Sequence, residues 1–142
     1  MIKISQLQTR DVADLHLKGV DGEPLYFRDV ATGEEKPVLI KLFGPGSEPY
    51  RRAQAAAHRR VTALLKKGRN ALEARTPDER AAETATLLAD ITQGVEGLDL
   101  EAASVREGVL ALYGNPHCGW IAEQVNTFAA DWANFSVSAP KA

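Results

Sequence analysis

The sequence predicts an α+β domain: a small N-terminal antiparallel β meander followed by about four α-helices. Two observations lead there. Up to Phe43 the apolar residues alternate or cluster in short runs broken by Gly and Pro, whereas from Ser47 onward they recur at spacings of three and four. Between the two regimes stands Gly44-Pro45-Gly46, where Pro removes a ladder donor and the glycines permit a sharp change of direction.

The strands come first. Asp14-Leu15-His16-Leu17-Lys18-Gly19 alternates as a half-buried strand does, with Leu15 and Leu17 on one side. A turn at Val20–Pro24 leads to a second strand at Leu25–Val30, and a turn at Ala31–Pro37 leads to a third at Val38–Phe43. Three short strands bury little by themselves, so helices or another subunit should cover one face. At the switch, Ser47 is a good N-cap, Glu48 places a carboxylate in the first turn, and Pro49 is tolerated because those N–H groups have no intrahelical partner. The helix predicted from Glu48 to Arg75 carries Tyr50, Ala53, Ala57, Val61, Leu64, Gly68 and Leu72 as its apolar stripe. Tyr50 is expected to fix it against the sheet. Thr76-Pro77-Asp78-Glu79 is a capping box that starts a second helix, with Thr84, Leu87, Leu88 and Ile91 toward the core and an end near Gln93-Gly94. Val95–Leu100 reads as a loop. Asp99 then caps a third helix that carries Val105, Val109, Leu110 and Leu112 and stops at Gly114. Asn115-Pro116 caps the last, on which Ile121, Val125, Phe128, Trp132 and Phe135 recur every three or four residues. One domain over residues 1–135 follows, its β part about 13–43 and its helical part about 47–135, with a mobile polar tail at 136–142.

Composition narrows the function classes. A chain of 142 residues, 44% hydrophobic and 25% charged, suits one core-bearing domain. A net charge of −2 gives no global reason to expect a polyanion partner. No apolar run reaches membrane-span length and no leader pattern opens the chain, so no membrane association and a cytoplasmic setting are expected. Cys118 is the single cysteine, and His16, His58 and His117 sit in three separate elements without ligand-like spacing, so neither a metal nor a cofactor is expected. His117 and Cys118 adjoin, but sequence neighbours on a helix do not face each other and no acid is placed to orient them. No catalytic residue is indicated, and an enzyme is not expected.

Two features carry a partner signal. Arg51, Arg52, Arg59 and Arg60, with Lys66, Lys67 and Arg69, lie mostly on the outer side of the first helix and could neutralise phosphates, the basis for a nucleic-acid-binding regulator. Nucleic acid is disfavoured because no aromatic residue interleaves with the arginines and because later acids such as Asp78, Glu79, Glu83 and Asp90 can complement them. The aromatic stripe Trp120, Phe128, Trp132 and Phe135 reads as core first and as a set of partner-binding anchors second.

Two segments, Gly44–Gln54 ("GPGSEPYRRAQ") and Ala89–Phe135 ("ADITQGVEGLDLEAASVREGVLALYGNPHCGWIAEQVNTFAADWANF"), resemble the tail assembly chaperones of long-tailed, siphophage-like bacteriophages. The similarity runs from about Leu15 to Phe135. In the order that the family follows, Asp21-Gly22-Glu23 takes the place of its Asp-Gly-Glu turn, Ser47 with Tyr50 and Arg51 its helix start, Ile91 through Leu98 its Ile-x-Gly-Trp-x-Gly-Leu segment, and Asn134-Phe135 its closing pair. Gly46 stands where an acid is usual, and Val95 where Trp is usual. The resemblance implies a non-enzymatic protein of the host cytoplasm that binds the tape measure protein, keeps its long helices soluble and assists polymerisation of the major tail tube protein. It further implies absence from the mature virion, and leaves a homo-oligomer open. A structural virion component, such as a tail-completion or head-tail joining subunit, is the alternative.

Overall fold

The computed structural model describes residues 1–137, with the Leu72 side chain outside the described part. Its strands are β1 (Val12–His16), β2 (Tyr26–Arg28), β3 (Glu35–Pro37), β4 (Leu39–Phe43) and β5 (Thr92–Glu96). The helices are α1 (Glu48–Lys66), α2 (Arg69–Glu73), α3 (Pro77–Asp90), α4 (Val105–Gly114) and α5 (Gly119–Ala130). Short 3-10 turns lie at Ile4–Gln6, Pro116–Cys118 and Trp132–Phe135. The class is α+β.

Within that class the strands pair differently from a simple meander. The main sheet has the order β1-β4-β5, antiparallel throughout, with Leu15 opposite Ile40 and Ile40 opposite Val95. Strand β2 pairs instead with β3 in a separate hairpin, Phe27 opposite Lys36. The central strand thus receives its second neighbour from the segment read as a helix end and a loop. Gly94 and Gly97 lower the intrinsic strand tendency of residues 92–97, and only the free edge of β4 supplies hydrogen-bond partners for them. Pairing shifts register between Lys41 and Leu42, which face Gly94 and Thr92. The hairpin is tied to the sheet through Leu17 and Leu25: the Leu17 N–H donates to Val38 O, and the Val38 N–H to Leu25 O.

Ile40 and Leu42, both fully buried, form the middle of the core. Helices α3, α4 and α5 cover them with Ala85, Leu88, Ala89, Val109, Tyr113, Ile121 and Val125. Helix α3 turns Ala85 and Ala89 inward and leaves Thr84 exposed, because the small alanines let α4 approach closely. On α4 the buried face is Gly108, Val109 and Tyr113, while Val105 is largely exposed.

The caps read at Ser47 and Thr76 hold, whereas Asn115 caps the Pro116–Cys118 turn, its Oδ1 accepting the His117 N–H (3.0 Å), and α5 starts after it at Gly119. The Ser47 hydroxyl accepts the Tyr50 N–H (3.3 Å) and donates to Gly44 O (2.7 Å), and Ser47 is only 1% exposed. Pro49 sits in the first turn, where a missing N–H costs nothing. Thr76 Oγ1 accepts the Glu79 N–H (3.1 Å). Two boundaries move. The helix predicted to reach Arg75 ends at Lys66, because Gly68 takes φ +108°, a left-handed conformation that stops α1 before α2 begins. The cap of α4 is Ser104, whose Oγ accepts the Glu107 N–H (3.1 Å), and not Asp99. Leu98 and Leu100 pack on the core and hold the intervening chain out of the helix, so the Asp99 carboxylate closes a turn onto the Glu101 N–H (2.9 Å).

Tyr113 was absent from the expected core, yet it is 4% exposed and its hydroxyl lies 2.8 Å from Thr92 Oγ1. Thr92 Oγ1 itself donates to Leu88 O, so the phenol is the donor to Thr92. Burial is what pushes the phenol up to about 12. The folded protein therefore holds this proton more tightly than the unfolded chain does. Stability is expected to be fully retained below pH ~10 and to fall by about 2–3 kcal/mol as pH rises through about 12, which urea unfolding at stepped alkaline pH measures. Tyr113→Phe should flatten that slope.

Candidate functional site

The four aromatics of the expected stripe do not share one helical face. Helix α5 ends at Ala130, Asp131 leaves helical geometry (φ −93°, ψ 109°), and its carboxylate accepts the Ala133 N–H (3.0 Å) to start the Trp132–Phe135 turn. Asn134 Nδ2 donates back to Phe128 O (3.0 Å), which folds this turn against the end of α5.

Trp120 and Phe128 come together. With Leu15 of β1 they form the apolar floor of an open groove of about 390 Å³ between β1 and α5. His16, Lys18, Glu123, Gln124, Thr127, Asp131 and Asn134 make its polar rim. The Gln124 amide sets the spacing of the two walls: its Oε1 accepts the Lys18 N–H (2.9 Å) and its Nε2 donates to Lys18 O (2.8 Å). These bonds join residues far apart in sequence, so no local pattern marks Gln124. The His16 Nε2–H donates to Leu25 O (2.9 Å), and the ring meets Tyr26 edge-on at 5.0 Å, which fixes the imidazole at the groove mouth.

Trp132 stands elsewhere. Its ring lies over Gly46, beside Leu7, Thr9 and Asp11, and remains 56% exposed. Phe135 is fully buried, edge-on to Phe128 at 5.8 Å, and therefore belongs to the core and not to a contact surface. Its burial follows from a clamp between chain ends: the Arg10 N–H donates to Phe135 O (2.7 Å), and Thr9 bridges Ser136. Ser136, assigned from sequence to the mobile tail, is thus paired; residues 138–142 of that tail lie outside the described residues. Tyr50 is half-buried against the core, its hydroxyl 3.5 Å from Gln54 Nε2, on a helix that packs against α2 and α3 rather than directly on the sheet.

Comparison with family models, curated proteins and solved structures finds no match. The chemistry of the site must be read from its own residues. Among the described residues, no three His, Cys, Asp or Glu side chains converge as a metal site would require, and Cys118 is a half-buried free thiol. No described helix is long and apolar enough to cross a membrane. The groove offers an apolar floor and a rim of amide, hydroxyl and mixed charge. Such a surface suits an amphipathic segment laid along it.

Proposed function

We propose that this chain is a phage tail assembly chaperone, a non-enzymatic protein that binds the tape measure protein in the host cytoplasm and assists assembly of the tail tube around it. The observation that carries the reading is the groove floored by Leu15, Trp120 and Phe128. It accepts the apolar edge of a helix while its rim stays hydrated, and this is what holding a long apolar helix in solution requires. The resemblance of Gly44–Gln54 and Ala89–Phe135 to that family supplies the partner's identity. In this role the protein leaves before the virion is complete.

Co-expression with the tape measure protein encoded nearby, followed by size-exclusion chromatography, tests the proposal. The partner should co-elute with this chain and be insoluble without it. Trp120→Ala with Phe128→Ala should weaken the complex by about tenfold or more while the far-ultraviolet circular dichroism is retained. A partner that stays insoluble, together with a stable ring of this protein on sedimentation, would move the assignment to a structural virion component.

A further inference from the structure

The outer face of α1 carries an excess of charge that the fold does not use. From Glu48 to Arg69, a stretch that spans α1 and the first residue of α2, there are seven cations and one acid, a net +6, so the rest of the chain carries −8. Among the described residues, none of the seven forms an ion pair within 4.0 Å, whereas Lys36, Lys41, Arg75 and Arg106 each do. Asp90, which lines a shallow cleft with Arg52 and Arg59, is held by Arg106, and Glu83, which lines another with Arg60, is held by Arg75.

The cations are also patterned. Arg52, Arg59 and Lys66 recur every seventh residue, and Ala56 and Ala63 fall between them at the fourth position. Arg52, Arg59, Ala63 and Lys66 are exposed, and Ala56 is half-buried in a shallow cleft with Arg52 and Arg59. A seven-residue interval repeats at roughly 10.5 Å along a helix. A second helix with acids at the same interval matches that repeat, and the alanines let it approach closely. Duplex DNA presents phosphates far more densely, and the face has no aromatic side chain on which a base could stack.

We infer that the outer face of α1 is a second docking surface, separate from the groove, for an acidic α-helix of a partner protein whose carboxylates repeat every seven residues. Arg52, Arg59 and Lys66 pair with those carboxylates, and Ala56 and Ala63 form the seam between the helices.

Fluorescence anisotropy at low salt tests this with a labelled alanine-based helical peptide carrying Glu at heptad spacing, its scrambled isomer of equal composition, and a short duplex DNA. The patterned peptide should bind more tightly than its isomer and than the DNA. The charge reversal R52E/R59E/K66E should weaken it by about tenfold or more. The milder pair R59Q/K66Q, checked by circular dichroism, gives the same direction with less risk to the fold. Equal binding of the scrambled isomer, tighter binding of DNA, or no binding at low salt would each overturn the inference, the second by making the face a nucleic-acid surface.

Discussion

Phe135→Ala should lower the unfolding free energy by about 3–5 kcal/mol, a large part of the stability of a domain this size. The ring is wholly enclosed: Phe128 lies edge-on to it, and Gly44 lies so close that a Cβ there would stand 2.5 Å from its Cδ1. A cavity at this point cannot collapse readily, because the backbone on both sides is fixed. The Phe135 carbonyl accepts the Arg10 N–H, and the Gly44 N–H donates to Asp11 O. The loss should appear as a lower urea midpoint with little change in slope. Gly44→Ala should also destabilise, by about 1–3 kcal/mol through overpacking, and combining it with Phe135→Leu should cost less than the sum, since the smaller side chain makes room for the new methyl. Strict additivity would show that the ring and the glycine do not meet. Because residues 9–11 and 135–136 are joined here, the variant should also loosen the N-terminal segment, seen as faster amide exchange at Arg10.

Gly97→Ala should cost about 2–4 kcal/mol for two reasons that add at one atom: a left-handed backbone and an occupied position. Gly97 has φ +86°, and a Cβ there would lie 2.3 Å from Cδ1 of Phe27. That ring joins the β2–β3 hairpin to the end of β5, so the methyl must either strain the turn or displace Phe27. Phe27→Leu in the same background should recover part of the loss, the part due to the clash, and leave the part due to the backbone. No recovery in thermal unfolding would show that conformation alone sets the cost. Displacing the hairpin should also shift the Leu25 carbonyl that holds His16, and so disturb the groove mouth without touching its floor.

Much of this architecture was legible locally, and the reason differs from element to element. Ser47 and Thr76 act as caps because a side-chain oxygen next to free helical N–H groups needs nothing from the rest of the molecule. Gly68 breaks the first helix for an equally local reason, although it was read as part of the apolar stripe: its significance lay in a positive φ that spacing does not show. The helical period does not single out Tyr113, because Val109, Leu110 and Leu112 already satisfy it, and only Thr92, brought near by the sheet, gives its hydroxyl a partner.

The candidate site divides along the same line. Trp120 and Phe128 were identified by type and spacing, and they do line one groove. Phe135 has the same spacing yet is core, and Trp132 faces away over Gly46, because Asp131 ends the helix between them and Phe128. Leu15 and Gln124 complete the groove through a strand-to-helix contact that spans most of the chain.

Sequence by itself determined the α+β class, the strand-to-helix switch at Gly44–Ser47, the caps at Ser47 and Thr76 and the charge of the first helix, since each depends on residues within a few positions of one another. Tertiary structure alone decided that Thr92–Glu96 is a strand, that Tyr26–Arg28 leaves the main sheet, which aromatics line the groove, and that the α1 cations stay unpaired among the described residues. Those outcomes turn on which distant backbone groups and apolar surfaces are free to be satisfied, and a free strand edge or an open face exists only once the chain has folded.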